Sequence, residues 1–108
     1  MEFYRAYGFD GVDFDWEYPA DTSRGGKAAD KANYGLLVQA VRAAFDTSPD
    51  DLELSVAIPV ADWRVAEGYD LPVLMQGVDF FQSHRLWFSR CLGQSQGGWC
   101  QHGNAFHL

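Results

Sequence analysis

The chain has 108 residues, with 15 Asp and Glu against 8 Lys and Arg and a formal net charge of −7. That balance disfavours a nucleic-acid partner, whose phosphates need a basic surface. No apolar run is long enough to span a membrane, and no internal repeat or low-complexity run departs from an ordinary globular sequence.

Residues 1–7 read as the last turns of a helix feeding a strand, without the charged, apolar and small-residue pattern of a signal peptide. The strand that follows carries the most informative stretch, Asp10-Gly11-Val12-Asp13-Phe14-Asp15-Trp16-Glu17-Tyr18-Pro19. Successive side chains of a strand point to opposite faces. An extended run to Pro19 therefore puts Asp13, Asp15 and Glu17 on one face and Val12, Phe14 and Trp16 on the other. Like charges crowded at a partly buried site keep one carboxyl protonated near neutral pH, as a general acid requires. Glu17 is the candidate acid: it is last in the row, longest, and placed at the carboxyl end of the strand. A solvated acidic face is the bland alternative, opposed by the apolar second face. A calcium loop is another, but such loops do not interleave Phe and Trp with their ligands. Trp16 reads as a core aromatic, whereas Tyr18, past the acidic row, is a candidate for lining a cleft.

A polar loop over 22–30 leads into a helix expected from about Asp30 to Asp46. Its apolar positions Tyr34, Leu37, Val38, Val41, Ala44 and Phe45 form one face for burial, and Gly35 weakens it slightly. Residues 47–51 stop the helix, and 52–58 read as a buried strand. The segment 61–66 reads as a loop. Within it Trp63, just past a strand's carboxyl end, is either a sugar-binding aromatic or a residue packed on a neighbouring helix. A short helix over 70–76 and a strand over 78–82 complete an alternating α/β pattern of the parallel-sheet kind.

The stretch Tyr7-Gly8-Phe9-Asp10-Gly11-Val12-Asp13-Phe14-Asp15-Trp16-Glu17-Tyr18-Pro19 closely resembles the fourth-strand signature of family 18 glycoside hydrolases, the chitinases. Their pattern D-x-x-D-x-D-x-E is filled by Asp10, Asp13, Asp15 and Glu17. Arg24-Gly25-Gly26-Lys27 and Asn33-Tyr34 resemble the following loop and helix in the fungal killer-toxin-like group. Leu54-Ser55-Val56-Ala57-Ile58-Pro59 resembles the fifth strand, and residues 69–81 the approach to the sixth. The resemblance implies an incomplete segment, about strands four to six, of a (β/α)8 TIM barrel. It also implies retaining, substrate-assisted hydrolysis of β-1,4-linked N-acetylglucosamine polymers, an exception to the scheme with two catalytic carboxylates. In that reaction Glu17 is general acid and base, Asp15 holds the acetamide group, and Asp13 tunes Asp15. No metal or cofactor is required. Chitin or its oligosaccharides are the partner, suited as neutral polymers to an acidic chain, and the expected location is extracellular. A non-hydrolytic chitin-binding relative is a rival that the presence of Glu17 argues against.

A closed barrel needs about 250 residues, so these strands are not expected to close one alone, and a non-functional truncated product is a further rival. Residues 1–82 are read as the family segment and 83–108 as a non-matching, unstructured tail. All acids lie at or before Asp79, and every His (His84, His102, His107) and both Cys (Cys91, Cys100) lie after it. Codons for Leu86 to Gly93, read one base later, can spell Tyr-Gly-Phe-His-Gly-Val-Trp-Asp, close to the family's continuation. A frameshift or misplaced splice junction near Gln82 would produce such a tail. A Cys91–Cys100 disulfide is one reading of the tail; its Cys and His spacing matches no standard zinc site.

Overall fold

A run of β-branched and apolar residues around Leu54 and Val56 makes an interior strand of the sheet, and both side chains are fully buried. In the computed structural model, which describes residues 6–83, 87–90 and 99–102, the elements follow the alternating order expected. These are β1 (Gly11–Phe14), a 3-10 turn (Thr22–Arg24), α1 (Asp30–Asp46), β2 (Glu53–Ile58), α2 (Asp62–Gly68), α3 (Leu71–Leu74), β3 (Phe80–Ser83), β4 (Trp87–Arg90) and β5 (Trp99–His102). The sheet order is β1-β2-β3-β4-β5. The first three strands are parallel, with Asp13 opposite Ser55 and Ser55 opposite Phe80. Strands β4 and β5 continue the sheet antiparallel.

One face of the sheet holds the core. Tyr34, Val38 and Phe45 of α1 pack with Leu54, Val56, Tyr69, Leu74, Val78 and Phe81, and with the half-buried Phe14 and Ile58. Burying a large apolar side chain contributes about 1.5–3 kcal/mol, several times the differences in helix propensity along α1. Packing, not propensity, therefore sets the rotation of the helix. Gly35 belongs to that packing, since a Cβ there would lie 2.7 Å from Cγ1 of Val73. Leu37, expected on the buried face, is 43% exposed. Arg42 ties the amino end of the layer together. It pairs with Asp79 at 3.0 Å and donates to the Leu52 carbonyl at 3.1 Å, while Asp79 accepts from the Leu54 amide at 2.8 Å.

Four expectations need correction. The first strand ends at Phe14, not near Pro19: its ladder with β2 stops at Val56, while β2 itself runs on to Ile58 against β3. Residues 61–66, read as a loop, contain most of α2: Ala61 is extended and the chain turns helical at Asp62. The short helix covers only Leu71–Leu74, capped by the Asp70 carboxylate on the Val73 amide. Two segments of the tail, read as unstructured, pair as β4 and β5. Cys91, His84 and His107 lie outside the described residues.

Candidate active site

The strand alternation holds as far as the strand itself. Phe14 faces the core and meets Tyr34 edge-on, with ring centroids 6.4 Å apart. Asp13 points to the opposite face, where its carboxylate accepts a hydrogen bond from the Ser55 hydroxyl at 2.5 Å. The pairing follows from register, since Asp13 and Ser55 are direct neighbours on β1 and β2. Ser55 is only 4% exposed and is the lone polar residue between Leu54 and Val56. Sequence reasoning did not single it out, although a hydroxyl inside a buried apolar run is the available signal, because buried polar groups need partners.

Asp15 and Glu17 lie past the carboxyl end of β1, in coil, and both are exposed, as is Asp13. They are thus brought to the end of the sheet on a short segment whose backbone is held by buried side chains. Tyr34 donates its hydroxyl to the Phe14 carbonyl at 3.4 Å, and Tyr69 donates to the Trp16 carbonyl at 2.8 Å. Trp16 is 36% exposed and leans edge-on against Tyr34 at 5.3 Å, so it covers the core's rim instead of sitting inside it. Burial raises both tyrosine pKa values. Behind burial act Tyr69, Asp13 and Asp15 on Tyr34, and Tyr18, Asp15 and Glu17 on Tyr69. Both hydroxyls therefore stay protonated as donors. The Glu17–Tyr18 peptide is cis.

Tyr18 is half-buried between two guanidinium groups, with Arg24 5.3 Å and Arg64 5.0 Å from its ring centroid. Cations over aromatic faces are attracted by the ring quadrupole. Arg64 also lies 4.3 Å over the ring of Trp63, which projects from the first turn of α2 and is 63% exposed. The two aromatic candidates are therefore linked through one arginine. Arg64 is fixed in turn by Asp21 at 3.2 Å and Glu67 at 3.1 Å. Asp21 is 4% exposed and accepts from the Ser23 hydroxyl at 2.6 Å and amide at 3.0 Å. Those hydrogen bonds, with the charges of Arg64 and Arg24, lower its pKa against the opposing effect of burial.

An open depression of about 570 Å³ lies beside Ile58, Pro59, Val65, Tyr69, Leu71 and Ser83 at the carboxyl ends of β2 and β3. None of Asp13, Asp15 and Glu17 lines it. Among the described residues, no group of three or more His, Cys, Asp or Glu side chains could hold a metal ion, and no helix is long and apolar enough to cross a membrane.

Known proteins resemble this chain in sequence and fold. The family described as "Glycosyl hydrolases family 18" matches residues 1–85. An endochitinase of Manduca sexta is 44% identical over 79 residues, covering 73% of this chain and 14% of the relative. A crystal structure of the Ostrinia furnacalis Group IV chitinase in complex with allosamidin superposes with a TM-score of 0.71 at 29% identity. Catalytic domain 2 of that organism's Group II chitinase, a mutant in complex with penta-N-acetylchitooctaose, gives 0.71 at 30% identity. Each superposition covers 79% of this chain and 22% of the other, so the chain spans less than a quarter of each of these relatives. The match is to the family as a whole and does not single out the killer-toxin-like group. With residues 1–85 so matched, the chain belongs to family 18 of the glycosyl hydrolases.

Proposed function

We propose that this segment carries the acid machinery of a chitinase that hydrolyses β-1,4-linked N-acetylglucosamine polymers internally and with retention of configuration. The observation that carries this reading is the row Asp13, Asp15 and Glu17, exposed at the carboxyl end of a parallel strand within a family 18 segment. In parallel barrels that end is where catalytic groups stand.

Glu17 protonates the glycosidic oxygen as its bond to the anomeric carbon breaks. The acetamide oxygen of the same sugar attacks that carbon and closes an oxazolinium ring, so no enzyme carboxylate becomes covalently bound. Asp15 accepts the acetamide N–H and stabilises the positive charge. Asp13 tunes Asp15 by sharing a proton, and Ser55 holds Asp13 from the neighbouring strand. Glu17, now ionised, takes a proton from the water that opens the ring and is thereby restored. Tyr18 and Trp63 are proposed substrate contacts, offering aromatic faces to the sugar rings, and no step calls for a metal or cofactor. The partner is chitin or its oligosaccharides, and the place of action is extracellular.

Glu17→Gln in the intact protein keeps the size of the side chain and removes its acid. Chitin binding is expected to persist while turnover of chito-oligosaccharides falls by roughly 10²–10⁴-fold. Retained hydrolysis in that variant overturns the assignment.

A further inference from the structure

Glu17 is three residues beyond the last residue of β1, so the ladder that fixes Asp13 does not reach it. A general acid outside a strand still needs a fixed backbone, because small misplacements of a reacting group cost much of the rate. Two hydrogen bonds reach the carbonyls on either side of its Cα. The Tyr69 hydroxyl donates to the Trp16 carbonyl at 2.8 Å, and the Arg24 guanidinium donates to the Glu17 carbonyl at 3.4 Å.

The Tyr69 anchor is built into the core. Tyr69 is 3% exposed, lies 5.8 Å from the Tyr34 ring in edge contact, and gives its amide to the Val65 carbonyl at 2.9 Å. Its neighbour Gly68 presses against the acid's own loop, since a Cβ at Gly68 would overlap the Pro19 carbonyl oxygen. The junction of α2 and α3 is therefore shaped to receive residues 16–19. Arg24 approaches the same loop from the 3-10 turn, where its stack on Tyr18 holds it.

We propose that Tyr69, with Arg24 as its weaker partner, is a positioning residue for Glu17, acting on the peptide carbonyls that flank it and not on the substrate. This rests on the reading of Glu17 as the acid. Tyr69→Phe removes only the hydroxyl and leaves the ring stack. In the full-length protein, kcat on a chito-oligosaccharide is expected to fall on the order of tenfold, with KM little changed. Loss on the dinitrophenyl glycoside of the same sugar is expected to be much smaller, because that leaving group departs without protonation. Hydrogen exchange at the Glu17 and Tyr18 amides is expected to quicken while that of Val56 in β2 stays slow. Equal loss on both substrates, unchanged kcat, or unchanged exchange at Glu17 overturns the proposal.

Should Tyr69→Phe fail to fold, Arg24→Gln reads the same two rates and the same amides, with smaller effects in the same direction. No preference for the activated substrate and no faster exchange there overturn the proposal equally. Glu17→Gln serves as the reference. If it still hydrolyses the oligosaccharide, the functional reading fails; if it is dead while Tyr69→Phe is unaltered, only the positioning role fails.

Discussion

Asp21 illustrates how a single carboxylate organises the surroundings of the acidic row. It is nearly buried, yet it takes two hydrogen bonds from Ser23 and an ion pair from Arg64, which in turn stacks on Tyr18 and Trp63. Its folded pKa lies below the ordinary value of 3.8, chiefly through the Ser23 hydroxyl. A depressed carboxylate pKa contributes stability that is present above the unfolded value and is lost as pH falls through the folded one. Asp21→Asn is therefore expected to lower the melting temperature at neutral pH, with the gap to the natural chain narrowing on acidification through 3.8 and below. Thermal unfolding from about pH 7 to pH 3 checks this. A gap that does not change with pH would mean that packing, not charge, holds Arg64 in place.

At the scale of elements, α2 and α3 matter because they back the loop that carries Glu17. The Lys31 ammonium of α1 donates to the Ala66 carbonyl at 2.7 Å and holds α2 against its neighbour, while Gly68 ends α2 against Pro19. Gly68→Ala forces a methyl group into a backbone carbonyl that cannot swing aside. Overpacking of this kind costs about 1–3 kcal/mol, measurable as a lower urea midpoint. Leu36→Ser, at a position 63% exposed on α1, is the matched control and is expected to shift stability by less than about 0.5 kcal/mol. Equal effects of the two changes would remove the case for a close contact at Gly68.

For the whole molecule, the buried tyrosines couple the core to the acidic segment. Tyr34 and Tyr69 meet edge-on inside the cluster that also holds Leu54, Val56 and Phe81, while their hydroxyls reach the backbone beneath the acids. Burial raises both pKa values above the ordinary 10.0. For a group so raised, stability is fully present below the unfolded pKa and is lost as pH rises above it. The urea midpoint is thus expected to hold steady up to about pH 10 and fall beyond it, less steeply in Tyr69→Phe. A midpoint unchanged well above that pH would contradict the burial of these hydroxyls.

Local pattern determined much of this protein. The period of apolar residues set α1 at Asp30–Asp46, the apolar run after it made β2, and the four spaced acids pointed to family 18. Those features depend on near neighbours in the chain, so they are legible without a fold. Strand length was not, because β1 stops where β2 ceases to pair with it, and pairing joins residues about 40 positions apart. For the same reason the donors that hold the acidic segment were invisible in advance. Ser55 meets Asp13 through register, Tyr69 reaches Trp16 across 53 residues, and Arg64 meets Tyr18 only once α2 has packed beside the loop. The acids are written in one short stretch of chain, but their fixed placement is a property of tertiary contacts, since a coil segment has no periodic hydrogen bonds of its own to hold it.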